Sequence, residues 1–349
     1  MAEPTETVTT VRTVGSLRLC AAATLVLLQA PRQEPPAAPS AAWRGVIGEY
    51  GSDTLSRFML LERAGRLIAR MYPTSRADSF EMVLTPSGPD AFVSAGDHPG
   101  TKIRFLRGNS GRATAIVNGT MVVPRRALGP EDGSVFRVVP LRPVPELRRV
   151  ALAASPPEEP GSFLTTDLAE LLKLDSTIRL DIRYASSRNF LGQPLYSQAR
   201  AFLQRPAAEA LVRAHQALRT RGYGLLIHDG YRPWYVTRMF WDATPPAQHE
   251  FVANPATGSR HNRGAAVDLS LYEIGTGRAV EMPGTYDEFS HRSYPAYAGG
   301  TSRQRWHREL LRSAMEAEGF TVNSSEWWHF DYKDWKQYRI GNVAFEKIR

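Results

Sequence analysis

The apolar pattern changes its period partway along the chain, and no single repeating architecture fits both sides of that change. Between Trp43 and Arg126 the apolar residues fall in short runs: Leu55–Leu61, Arg66–Tyr72, Lys102–Gly108, Ala113–Val117 and Met121–Arg126. Asn118-Gly119 separates the last two runs, and both residues tolerate the positive φ of a type I′ hairpin turn. Residues 43–127 therefore read as a small all-β domain, and they hold no acid–base cluster. Residues 128–163, with "LRPVPELRR" and "SPPEEPGS", read as a connector. From Leu164 onward helical and extended patterns interleave. "RPAAEALVRAHQALRTRGYG" predicts a helix with Pro206 in its first turn, Ala210, Ala214 and Leu218 on one face, and Gly222 suited to its C-terminal cap. "RQRWHRELLRSAMEAEGF" predicts a second, with Trp306, Leu310, Ala314 and Ala317 on one face and Gly319 as its stop. "YGLLIHDG", "GAAVDLSLY" and "EWWHFDY" predict strands. The expected fold class is α+β: a catalytic domain (residues 164–349) with a central, mostly antiparallel sheet flanked by helices, preceded by the small all-β domain.

The first 42 residues read as a signal peptide followed by a Pro/Ala linker. Arg12 and Arg18 precede the apolar run Leu19–Leu28, which is too short for a stable membrane span. The expectation is an exported protein, periplasmic or extracytoplasmic. Cys20 is the only cysteine, which excludes an intrachain disulfide and a thiolate metal site, so any metal must be held by His, Asp or Glu. The net charge is +8, but the arginines are scattered without a Lys/Arg block or a nucleic-acid motif, and no nucleic-acid partner is expected.

Three stretches hold chemistry that a plain core does not need. In "SRHNRGAAVDLSL", Asp268 sits among the apolar residues of a predicted strand, and His261 lies in the loop that enters it. A carboxylate in such a setting needs a partner or a metal, because desolvating it is expensive. In "SEWWHFDY", Glu326 precedes His329 by three. On a flat strand those side chains point to opposite faces, so Glu326 must lie in the loop before the strand if both serve one site. Two histidines, an aspartate and an unligated glutamate suit a catalytic zinc site with an open position. In "HDGYRPW", a strand ends at Gly230 and presents Arg232 before Pro233, either as a structural ion pair or aimed at an oxyanion. Trp327 and Trp328 read as wall and core, His228 as a strand-end residue, and His291 and His307 carry no motif.

"LDIRYASSRNFLGQPLY", "HDGYRP", "SRHNRGAAVDLSLY", "MPGTYDEFS" and "EGFTVNSSEWWHFDY" occur in this order. Together they resemble the zinc D-alanyl-D-alanine dipeptidases, from Leu164 to the C-terminus. The resemblance implies one Zn²⁺ per chain on His261, Asp268 and His329, with Glu326 as base and Arg232 steadying the tetrahedral intermediate. It also implies that Tyr184, Asp229, Ser259 and Asp287 grip the charged ends of a small peptide such as D-Ala-D-Ala. Two other expectations stand beside it. One is a D,D-carboxypeptidase or endopeptidase that trims peptidoglycan stems. The other is a non-catalytic protein that contacts the cell wall or a partner through its β domain, over a vestigial zinc site.

Overall fold

A computed structural model describes residues 1–2, 34–52, 56–73 and 78–348, so the core of the expected signal peptide lies outside the described residues. Pro35–Arg349 form one compact unit. Among the described residues, no helix is long and apolar enough to cross a membrane.

A short helix, α1 (Ala41–Arg44), leads into eight strands: β1 (Gly48–Tyr50), β2 (Arg57–Arg63), β3 (Arg66–Tyr72), β4 (Phe80–Gly88), β5 (Ala91–Gly96), β6 (Lys102–Arg107), β7 (Ala113–Asn118) and β8 (Met121–Pro124). Each pairs antiparallel with the next. The two edges then meet. The Gly51 N–H donates to the Pro124 carbonyl and the Arg126 N–H to that of Glu49, both at 2.8 Å. The sheet thus closes on itself, which removes the exposed edges of an open meander. Alternation sends Phe58, Leu60, Leu67, Ala69, Leu84, Phe105 and Ile116 to its interior. Strands β4 and β5 are ones that sequence patterning misses, because Pro86 and the polar residues beside it mask the alternation of Phe80, Met82 and Leu84. The hairpin turn is also displaced by one residue. Asn118 still pairs with Met121, and Gly119-Thr120 make the turn, with φ +58° at Gly119. A glycine at the first turn position replaces the expected type I′ pair.

The second sheet has the order β10-β12-β13-β15-β14: β10 (Arg179–Leu180), β12 (Tyr223–Asp229), β13 (Ala266–Glu273), β15 (His329–Tyr332) and β14 (Phe320–Val322). All neighbours are antiparallel except β10 and β12. A two-stranded ladder, β9 (Leu168–Glu170) with β11 (Phe202–Gln204), stands beside it, and α3 (Leu171–Leu174) follows β9. Helix α4 (Arg205–Arg219) packs on β12, and α6 (Ser302–Glu316) packs on β13 and β14. Pro206 opens α4, as expected, and Thr301 with Gln304 forms a reciprocal cap at the start of α6. The buried stripe of α6 is His307, Leu310, Leu311 and Met315, so the expected face is rotated: Trp306 and Ala314 are only half-buried.

Two segments differ from the sequence reading. Residues 128–163 are not a bare connector. Pro145 opens helix α2 (Val144–Leu152), whose Val144, Leu147 and Ala151 join the second core by helical spacing. After Pro233, the chain forms α5 (Trp234–Ala243), which packs on α2.

Candidate active site

Strand register assembles the site. Asp268 of β13 pairs directly with His329 of β15 on one side and with Asp229 of β12 on the other. A bulge in β12 leaves His228 without a register partner and re-aims Asp229. His261 arrives from a short helical turn, His261–Arg263, that Gly264 ends in the left-handed conformation (φ +65°). A side chain at Gly264 would press on Leu168 at 2.6 Å.

Three ligand-capable atoms converge. His261 Nε2 lies 3.2 Å from Asp268 Oδ1 and 3.0 Å from His329 Nδ1, and the last two are 3.1 Å apart. Tetrahedral ligands about 2.0–2.1 Å from one ion stand roughly 3.3 Å apart, so the trio fits a metal. The outer partners agree. His261 Nδ1 is 2.8 Å from the Gly230 carbonyl, which can only accept, so that nitrogen carries the hydrogen. His329 Nε2 is 2.9 Å from Asp331 Oδ1 and is held the same way. Both rings therefore turn their lone pairs toward the cluster. Burial pushes the Asp268 carboxyl up, and positive charge at the imidazole positions, a proton or a bound cation, holds it well below the usual range. Its second oxygen accepts the Tyr286 hydroxyl at 3.1 Å.

Glu326 sits in the turn before β15, as the parity of the strand requires, and its Oε2 is 3.5 Å from His329 Nδ1. Burial pushes its carboxyl up to about 7, against the pull of His329, although the side chain keeps 17% of its surface exposed. Arg232 is buried at 3.6 Å from Asp268 Oδ2, and Asp229 holds its Nε at 2.9 Å. Burial opposes the charge of Arg232, but Asp229 keeps the guanidinium well above its ordinary pKa.

These groups open on a cavity of about 220 Å³, whose lining also includes Tyr184, Ser259 and Asp287. Tyr184 donates to both Asp287 oxygens, at 2.8 and 3.0 Å. Burial, reinforced by Asp268, raises the Asp287 carboxyl well above its usual value. The Ser259 hydroxyl accepts from the His261 N–H at 3.2 Å. Asp229 does not line the cavity. Its carboxylate stands behind Arg232, taken up by that side chain, the Tyr196 hydroxyl (2.7 Å) and the Gly230 N–H (2.9 Å). Trp327 and Trp328 are buried, and Trp328 forms part of the cavity wall.

Sequence reasoning missed three supporting residues. Asp331 was findable, since it follows His329 by two on a strand and so shares its face. Tyr286 and Tyr196 were not, because each reaches its carboxylate across the fold.

A buried carboxylate–imidazole centre that opens on a cavity, with a further acid at its rim, suits a metallopeptidase. Comparison with known proteins identifies the kind. Residues 165–345 match the family model described as D-ala-D-ala dipeptidase, and the chain belongs to that family. The D-alanyl-D-alanine dipeptidase of Escherichia coli K12 is 34% identical over 48% of this chain and 85% of its own length. That of Enterococcus faecium is 36% identical over 45% and 87%, and that of Streptomyces coelicolor 34% identical over 49% and 94%. The eight-stranded barrel lies outside the family match.

Proposed function

We propose that the protein is a zinc-dependent dipeptidase that hydrolyses D-Ala-D-Ala or a related small dipeptide, with Glu326 as general base. The observation that carries this reading is the trio of converging donors, His261, Asp268 and His329, with Glu326 at 3.5 Å on the cavity side. Two neutral imidazoles and one carboxylate would hold the ion, and that ligand set suits zinc. The metal, when bound, supplies Lewis acidity: it lowers the pKa of the attacking water and polarises the scissile carbonyl.

The protein's own groups do the rest. Glu326 accepts a proton from the water and passes one to the leaving amine. Its half-desolvated setting makes it a stronger base than a free carboxylate. Arg232 lies on the opposite side of Asp268 and places fixed charge where the oxyanion develops. Asp229 acts by holding Arg232. Asp287 with Tyr184 faces the ammonium end of the substrate, whose charge would offset the burial that favours the neutral acid, and Ser259 steadies the loop of His261. The small cavity, walled by Phe190, Phe240, Phe251 and Phe289, favours a dipeptide over a longer stem peptide. The D configuration comes from the relatives, each named a D-alanyl-D-alanine dipeptidase. The basic and then apolar run from Arg12 to Leu28 supports export, and cell fractionation with and without that leader tests it.

The deciding experiment measures alanine release from D-Ala-D-Ala, L-Ala-L-Ala and a pentapeptide ending in D-Ala-D-Ala. Expected is cleavage of the first alone, lost with chelator and with Glu326→Ala. Cleavage of the pentapeptide instead would move the enzyme to cell-wall trimming. Near-normal rates in Glu326→Ala would remove the assigned base.

A further inference from the structure

The barrel reaches the substrate pocket through one loop. Residues 283–301, between β13 and α6, carry Tyr286 and Asp287 into the site, and on their other side they lie against the barrel. Tyr297 packs in a small apolar cluster with Met59, Leu61 and Ile68 of β2 and β3. Gly300 bridges to Leu61, and its carbonyl accepts the Glu62 N–H at 3.1 Å. Glu49 of β1, buried, lies 2.6 Å from His291 Nε2.

The most extended link is a chain of ion pairs. Arg125 and Arg112, which flank the barrel's last hairpin strands, hold Glu131 at 2.8 and 3.2 Å. The other Glu131 oxygen is 3.2 Å from Arg292, which also donates to the Pro130 carbonyl at 3.0 Å. Arg292 in turn grips Glu288 at 2.5 Å. Glu288 is fully buried and accepts from the Thr285 N–H (3.1 Å), the Thr285 hydroxyl (3.0 Å) and the Ser290 hydroxyl (2.5 Å), so its carboxylate closes the turn in which Asp287 sits. Asp287 has φ +58°, a left-handed conformation uncommon outside glycine but more accessible to Asp than to most residues, and the Glu288 hydrogen bonds close the turn around it. Gly129 lies so close that a Cβ there would run into the Glu288 carboxylate.

We infer that the barrel is an internal brace on the substrate loop, with Glu131 and Arg292 as positioning residues that set where Asp287 stands and hence how tightly substrate is held. The inference rests on the reading of Asp287 as the ammonium partner. It gives the extra domain a role in this chain that the compact relatives, matched over 85–94% of their length without it, do not require.

The test compares Glu131→Gln with Asp287→Asn in the full-length, metal-loaded enzyme on D-Ala-D-Ala. Glutamine keeps the shape of the side chain and removes the charge that joins barrel to loop. Expected for Glu131→Gln is a KM raised about tenfold with kcat within about twofold. Faster amide exchange across residues 284–294 is expected with it. A merely structural role would lower the amount of folded enzyme, which changes apparent kcat and leaves KM alone. A raised KM in Asp287→Asn beside an unchanged KM in Glu131→Gln overturns the brace. An unchanged KM in both variants overturns the reading of Asp287 first, and the brace with it.

Discussion

The barrel and the second sheet use buried charge in opposite ways. The barrel is a meander in which each strand pairs with its sequence neighbour. Its two buried glutamates, Glu49 and Glu62, face outward to the loop and helix that it touches, through His291 and Ser302. The second sheet draws its strands from residues 179 to 332 in a scrambled order. Its buried charges, Asp229, Arg232, Asp268 and His329, turn inward to one point. A local fold can be stable without specialised chemistry. A non-local one can collect side chains that would repel or stay solvated anywhere else.

If that contrast holds, site variants cost rate and variants of the barrel interior cost stability. The largest expected effect is Glu326→Gln, with kcat down about 10²–10⁴-fold while metal still binds one per chain, checked by kinetics and metal analysis. Loss of metal in this variant would mean that Glu326 is a ligand. Next, Leu60→Ala in the barrel interior should lower the free energy of unfolding by about 2–5 kcal/mol, with kcat per folded molecule unchanged. A changed kcat would show that the barrel core reaches the chemistry.

His228 sharpens the comparison through pH. Burial depresses its pKa from 6.5 to about 4, and Arg183 adds to the effect. The unfolded chain therefore takes up this proton first as pH falls. The contribution of neutral His228 is fully present above about 6.5 and is lost on the way down to about 4, by roughly 3 kcal/mol. Denaturant titrations should show a flatter acid slope in His228→Gln, and equal slopes would show that His228 does not titrate in this window. The smallest effect is Asp331→Asn, expected to weaken metal affinity about 10–100-fold through His329, read by competition with a chelator.

What was legible in the sequence follows the same divide. His261, Asp268, His329 and Glu326 stood in ordered blocks with local spacing, and strand parity placed Glu326 in the turn where it lies. Helix α4 was readable from Pro206 and Gly222. The position of Asp229 behind Arg232, off the cavity lining, was not legible, because it follows a bulge in β12 that has no signature in "LLIHDG". Helix α2 was hidden by prolines that in fact open it. The contacts of β1 and β2 with residues 283–301 join positions more than two hundred apart, and no local pattern encodes them.

The cross-strand row of Asp229, Asp268 and His329 also bears on how the molecule matures. A slip of one residue between β13 and β15 would send Asp268 and His329 to opposite faces and dissolve the donor trio. Metal capture would therefore report correct pairing of strands whose donors stand about sixty residues apart in the chain. A cation that bound only the finished register would stabilise it by mass action, so the folded enzyme is expected to resist unfolding better with metal than with chelator.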